Sequence, residues 1–220
     1  MSHSTSLVVW GQNLTSHVGE KYTREELALV KLSPYQYSVI IGLLLSDGWL
    51  SKVRKNACLG FGQSGSNIGY FWFVFWSLSH YCSSYPLLRF RTRLGNKNIN
   101  WQFSTRSMPC ITELYSLFYL NKVKVIPQDI YNMLTPVALA HLIMGDGSMQ
   151  RHGLTICTDL YDIKDIVRLI NVLIIKYRLD CILRKHGQYN RIYIKEISMP
   201  LLRQIVSPYM CSSMLYKIKL

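Results

Sequence analysis

Acidic residues are scarce in this chain. There are 12 Asp and Glu against 25 Lys and Arg in 220 residues, a net charge of +13. From Gly48 to Thr112 there is no acid at all among eight Lys and Arg, and from Cys181 onward Glu196 stands alone against seven. So one-sided a surface attracts a polyanion, and nucleic acid or an anionic membrane are the candidates. Long apolar runs are also missing. The most apolar, Val39 to Leu45, has seven residues, where roughly 20 are needed to span a bilayer. The N-terminal residues lack the basic start and long apolar core of a secretory signal. No CxxC pair occurs among the six cysteines, which argues against a zinc ribbon or a redox motif and for free thiols in a reducing compartment. What is plentiful is apolar side chain, 49% of the chain, so a core is expected and disorder is not.

The chain repeats itself. Leu32-Ser33-Pro34 is followed by YQYSVIIGLLLSDGWL, and Leu134-Thr135-Pro136 by VALAHLIMGDGSM. Each opens on a helix N-cap with proline in the first turn and runs as an apolar helix to an Asp-Gly stop. The tripeptide Ser-Met-Pro recurs at 107–109 and 198–200, each time after a strand-like stretch. Each repeat reads as helix, two strands, helix, two strands, helix. The helices are expected near 34–46, 66–82 and 108–119, then near 136–145, 162–178 and 199–209. The expected fold class is α+β, with a leader over 1–32 and repeats over 33–128 and 129–220. Along LLRFRTRL, Arg89, Arg91 and Arg93 alternate with Leu88, Phe90 and Thr92. Farther on, Arg184 and His186 share one parity, and Arg191, Tyr193 and Lys195 another. A period of two places each set on a single sheet face, with helices covering the apolar face. The basic face suits a DNA groove.

Asp47 and Asp146 each follow an almost wholly apolar helix, which must be buried. A carboxylate there meets the unfavourable end of the helix dipole. Burying it needs a positive partner, and a divalent cation is the natural one. One Asp-Gly alone is a helix stop. Two at matching repeat positions, with the helices packed along Gly42, Ser46, Ala140 and Gly145, would bring both carboxylates to one metal-dependent nuclease site.

IIGLLLSDG (Ile40–Gly48) and LAHLIMGDG (Leu139–Gly147) resemble the nonapeptide of the LAGLIDADG homing endonucleases. The likeness covers roughly 33 to 220 and is specific to the pseudo-symmetric single-chain members. The resemblance implies duplicated αββαββα repeats in a pseudo-two-fold saddle whose antiparallel sheets bind DNA. It implies Asp47 and Asp146 as metal ligands, assisted by the carbonyls of Ser46 and Gly145, with about two or three Mg²⁺ ions for which Mn²⁺ or Ca²⁺ substitute in binding. It also implies one lysine per half near each scissile phosphate, by position Lys124 and Lys217. A water-positioning polar residue on the second strand would be Gln63, with Asp159 as its counterpart. His141 departs from the small residue of the motif, which puts close helix packing in question there. The DNA-facing set is Lys52, Arg54, Arg89, Arg91, Arg93, Gln102, Arg106, Arg151, Arg184, Arg191, Tyr193 and Lys195.

The leading expectation is therefore a monomeric, site-specific, Mg²⁺-dependent double-strand DNA endonuclease. It would be encoded in an intron and work in an organelle, the mitochondrion first and the chloroplast as the alternative, and would not be secreted. The rival is a group I intron RNA-splicing maturase on the same fold, whose partner would be intron RNA. A metal-independent repressor would leave both carboxylates unexplained.

Overall fold

The computed structural model describes residues 18–93 and 96–220. Residues 1–17 of the expected leader lie outside the described residues, as do the side chains of Arg91 and Arg93. Among the described residues no helix is long and apolar enough to cross a membrane.

The expected element order is present in both repeats. A short helix α1 (Arg24–Leu29), capped by Thr23 and Glu26, precedes the first repeat and was not expected from the sequence. Then come α2 (Pro34–Leu45), β1 (Trp49–Ser51), β2 (Cys58–Ser64), α3 (Ile68–Leu78), β3 (Leu87–Arg93), β4 (Asn96–Ser104) and α4 (Pro109–Phe118). A small hairpin of β5 (Tyr119–Leu120) and β6 (Val123–Lys124) and a turn of helix α5 (Ile130–Met133) lead onward. The second repeat is α6 (Pro136–Asp146), β7 (Gly147–Gln150), β8 (Gly153–Ile156), α7 (Ile163–Tyr177), β9 (Cys181–His186), β10 (Tyr189–Lys195) and α8 (Met199–Val206). The two four-stranded sheets have the same order, β1-β2-β4-β3 and β7-β8-β10-β9, and their hairpins are antiparallel. The class is α+β.

The chain divides into two compact units. One comprises residues up to Tyr37 and Leu50–Thr112, the other Ser38–Trp49 and Glu113–Leu220. In the first unit, Phe61, Trp101 and Phe103 on one sheet face meet Phe71 and Phe75 of α3 in stacked, tilted and edge-on ring contacts. These large buried rings anchor the unit. The outer strand differs from the alternating burial expected of it. Leu88 and Phe90 are 40% and 68% exposed, and Arg89 between them is exposed too. The aromatic side of α3 covers β2 and β4, so β3 keeps both faces open.

The second unit explains why most of the first motif helix departs from its own repeat. A Cβ on Gly42 would lie 2.4 Å from the Ala138 carbonyl oxygen and 2.5 Å from the His141 Cβ. Backbones of α2 and α6 therefore touch closely despite His141, which is wholly buried. On the other side of the unit, α7 covers one face of the second sheet through Ile166, Leu169 and Leu173.

Candidate active site and nucleic-acid interface

Each motif helix is closed at its glycine, by a bond spanning five residues in the first repeat and four in the second. The Gly48 amide donates to the Leu43 carbonyl at 2.7 Å, and the Gly147 amide donates to the Ile143 carbonyl. A Cβ at either glycine would fall within 3 Å of that carbonyl oxygen. Close approach, not left-handed backbone, excludes side chains there, since Gly147 has φ −72°.

Asp47 and Asp146 line one cavity of about 330 Å³, together with Lys124, Cys157, Thr158, Asp159 and Tyr161. The helices are buried as expected, but the carboxylates are not: Asp47 is exposed and Asp146 half-buried. Both reach a mouth open to water and ions, which lowers the cost of keeping them charged. Desolvation, and then the neighbouring Asp47 charge, push the Asp146 carboxyl up to about 7, against the pull of Lys124 and Lys217.

The expected compensation at the helix ends is supplied by lysine. Lys124 Nζ donates to the carbonyls of Ser46 at 3.1 Å and Gly48 at 2.7 Å. Lys217 Nζ donates to those of Met144 at 2.6 Å and Gly145 at 2.8 Å. Each ammonium thus satisfies helix-end carbonyls and sits at the negative pole of the dipole. The carbonyls of Ser46 and Gly145, expected to assist the metal, each accept a hydrogen bond from one of these lysines. Burial lowers the Lys124 ammonium to about 8 although both aspartates pull it up, and burial also lowers that of Lys217. Tyr161 was missed by sequence reasoning. Its hydroxyl is shared between the Leu44 and Leu45 carbonyls at 3.1 and 3.3 Å, at the end of α2. Only the fold brings it there, 116 residues along the chain.

Strand register decides the place of Gln63. It pairs with Trp101, so its side chain lies on the sheet face covered by the aromatic helix. It is buried, and its Oε1 accepts from Asn67 Nδ2 at 3.0 Å. That is not the open face on which a water-positioning group was expected. Asp159, expected as its counterpart, lies beyond the end of β8 and lines the cavity, where Arg191 grips it through Nε–Oδ1 at 2.8 Å and Nη2–Oδ2 at 2.6 Å. Hydrogen bonding from that guanidinium holds the Asp159 carboxyl below the usual carboxylate range.

The basic set separates in the same manner. Arg184 and Arg191 are direct cross-strand partners on one face, as the period of two requires. Arg184 stacks on Tyr193 at 3.7 Å, and the Tyr193 hydroxyl donates to the His152 carbonyl. Tyr193 shares the sheet face of Arg191 but is buried, with Arg184 lying over its ring. Lys195 is ion-paired with Asp180 at 2.9 Å. Arg106 is buried. It donates to the carbonyls of His80 and Glu20 and stacks on Tyr22, so it holds the fold together and is not on the interface. Lys52, Arg54, Arg89 and Arg151 are exposed, and Gln102 is half-buried.

The family described as LAGLIDADG DNA endonuclease matches residues 37–202. A cytochrome b mRNA maturase bI2 of Saccharomyces cerevisiae is 35% identical over 198 residues, covering 82% of this chain. This chain spans 46% of that relative's length. A probable intron-encoded endonuclease 1 of Wickerhamomyces canadensis is 29% identical, over 85% of both chains. The solved structure of the homing endonuclease I-WcaI bound to its DNA recognition sequence superposes with a TM-score of 0.81 at 28% identity, covering 86% of this chain and 88% of the other.

Proposed function

Because the chain belongs to the LAGLIDADG DNA endonuclease family, we propose that it is an intron-encoded, site-specific endonuclease of double-stranded DNA. It hydrolyses one phosphodiester on each strand and acts in a mitochondrion, with its repeats over 33–128 and 129–220 each serving one half-site. The observation that carries this reading is the shared cavity of Asp47 and Asp146, each delivered by a motif helix.

The donor set fits a divalent cation. Two carboxylates meet at an open mouth, one of them made basic by burial and by the other's charge, and hard oxygen donors suit Mg²⁺ with several retained waters. Asp47 and Asp146 would hold it. When bound, Mg²⁺ supplies Lewis-acid stabilisation of charge on the phosphate and lowers the pKa of water. Lys124, on the cavity wall, places a cation where phosphate charge accumulates. Lys217 and Tyr161 fix the ends of the two motif helices and so orient the carboxylates. Arg89, Lys52, Arg54, Arg151 and Arg184 supply the exposed charge that attracts the DNA backbone.

The test uses a duplex carrying the uninterrupted junction of the host gene, incubated with Mg²⁺ or with EDTA. Cleavage in Mg²⁺ alone is expected, and Asp47→Asn or Asp146→Asn should abolish double-strand cutting while binding persists. Cutting in EDTA, or full activity in either variant, would place the chemistry elsewhere. The maturase relatives favour a second reading, intron RNA binding. Tight, salt-resistant binding of the intron transcript, with no DNA cleavage, would favour it over the first.

A further inference from the structure

Arg191 is held in an unusual way. Asp159 takes Nε and one edge of Nη2, so the side of the guanidinium is occupied by a carboxylate and the opposite edge, one N–H from each terminal nitrogen, points away from it. Both side chains are half-buried, 24% and 22% exposed, and the two-point grip of Asp159 fixes the plane of the fork. Its cross-strand partner is Arg184, and like charges directly opposite one another repel. Each is fixed by its own support, Arg191 by Asp159 and Arg184 by the ring of Tyr193. Asp159 also lines the cavity of Asp47 and Asp146.

The first repeat differs. Counted back from the shared Ser-Met-Pro, Phe103 matches Ile194, and Phe61 pairs with Phe103 as Leu154 pairs with Ile194. By the same count Arg191 matches Asn100, so the second repeat has Arg191 opposite Arg184 where the first has Asn100 opposite Arg89. From Gly48 to Thr112 there is no acid to grip an arginine.

We infer that Asp159 is a positioning residue for Arg191, and that Arg191 reads a guanine at one position of one half-site, beside the cleavage cavity. This rests on the DNA endonuclease reading above. A guanidinium whose side edge is fixed by a carboxylate presents its end edge as two parallel donors, matching O6 and N7 of guanine in the major groove. A phosphate contact would need no such orientation, and the Asp159 charge would oppose it. The missing carboxylate–arginine pair in the first repeat makes the requirement one-sided, so the recognition sequence is asymmetric at this position.

The experiment selects a library of duplexes with randomised positions for binding to the full chain, then repeats the selection with Asp159→Asn, Asp159→Ser and Arg191→Lys. Wild type should return one guanine in one half-site that all three variants relax by roughly 10- to 100-fold, with other positions unchanged. Asp159→Ser removes the carboxylate altogether, and thermal melting of each variant separates loss of recognition from loss of fold. Uniform weakening across all sequences would mean a phosphate contact and overturn the inference. So would unchanged base preference accompanied by a lower melting temperature, or by a raised Mg²⁺ requirement, which would make Asp159 a structural or metal-binding group. Failure of the wild type to select any sequence would instead reject the endonuclease reading itself, and this inference with it.

Discussion

Lys217 shows how much one side chain does at the end of a motif helix. It is 9% exposed, and its ammonium takes two carbonyls of α6 that the helix cannot satisfy internally. Hydrogen bonds from a charged donor are worth roughly 1.5–3 kcal/mol, and a buried carbonyl left bare costs a similar amount. Lys217→Met should therefore lower unfolding stability by about 2 kcal/mol, read as a shifted urea midpoint with an unchanged slope. An unaltered midpoint would mean that water replaces the ammonium at no cost. The same substitution removes a positive charge that stabilises ionised Asp146, so the variant should also need more Mg²⁺ for the same cleavage rate.

At the scale of elements, α2 and α6 meet backbone to backbone, and two consequences follow. A side chain on Gly42 collides with the Ala138 carbonyl, which is main chain and cannot swing away. Gly42→Val should cost roughly 3 kcal/mol or more and yield largely insoluble protein, whereas Gly65→Ala, with open space around it, should be neutral within about 0.5 kcal/mol. Soluble, fully active Gly42→Val would disprove the close contact. The second consequence concerns His141, wholly buried in α6, whose imidazole burial depresses to about 3. Its folded-state pKa lies below the unfolded value near 6.5, so the folded chain keeps it neutral while the unfolded chain takes up a proton as pH falls. Stability is complete above about 6.5 and is lost toward 3, by about 3 kcal/mol at pH 4. Urea midpoints between pH 7 and 4 should fall steeply in wild type and less steeply in His141→Gln. Parallel curves would assign the acid sensitivity to other groups.

For the whole molecule, net charge governs attraction and side-chain partners govern which charges take part. Binding to DNA should fall linearly with salt on logarithmic axes as counterions are released. Arg89→Ala or Arg151→Ala should reduce that slope by about 1 each if the exposed side chain meets a phosphate. Arg106→Ala should leave the slope unchanged and lower the melting temperature, because its donors are spent on the carbonyls of His80 and Glu20. A slope lowered by Arg106→Ala would return that residue to the interface.

The sequence by itself determined the helices and strands of the two repeats, the duplication and the pair of aspartates, but not α1, the β5–β6 hairpin or α5. These rest on local signals: N-caps with proline, a period of 3.6 in α7, a period of two in the hairpins, and glycine after each motif aspartate. Local signals are legible because each depends on residues a few positions apart. Tertiary structure decided everything that depended on long-range partners. Arg106 and Arg89 look alike along the chain, yet one is enclosed by carbonyls and the other is exposed. Gln63 looked like a site residue until register placed it with Trp101 on the aromatic face, and nothing along the chain shows that Arg191 grips Asp159. Tyr161 carries no signal of its own, and only the packing of the second unit sets its hydroxyl on the end of a helix 116 residues away. A charged or amide side chain has several acceptors within reach of one fold, and the choice among them is a property of tertiary packing, not of sequence pattern.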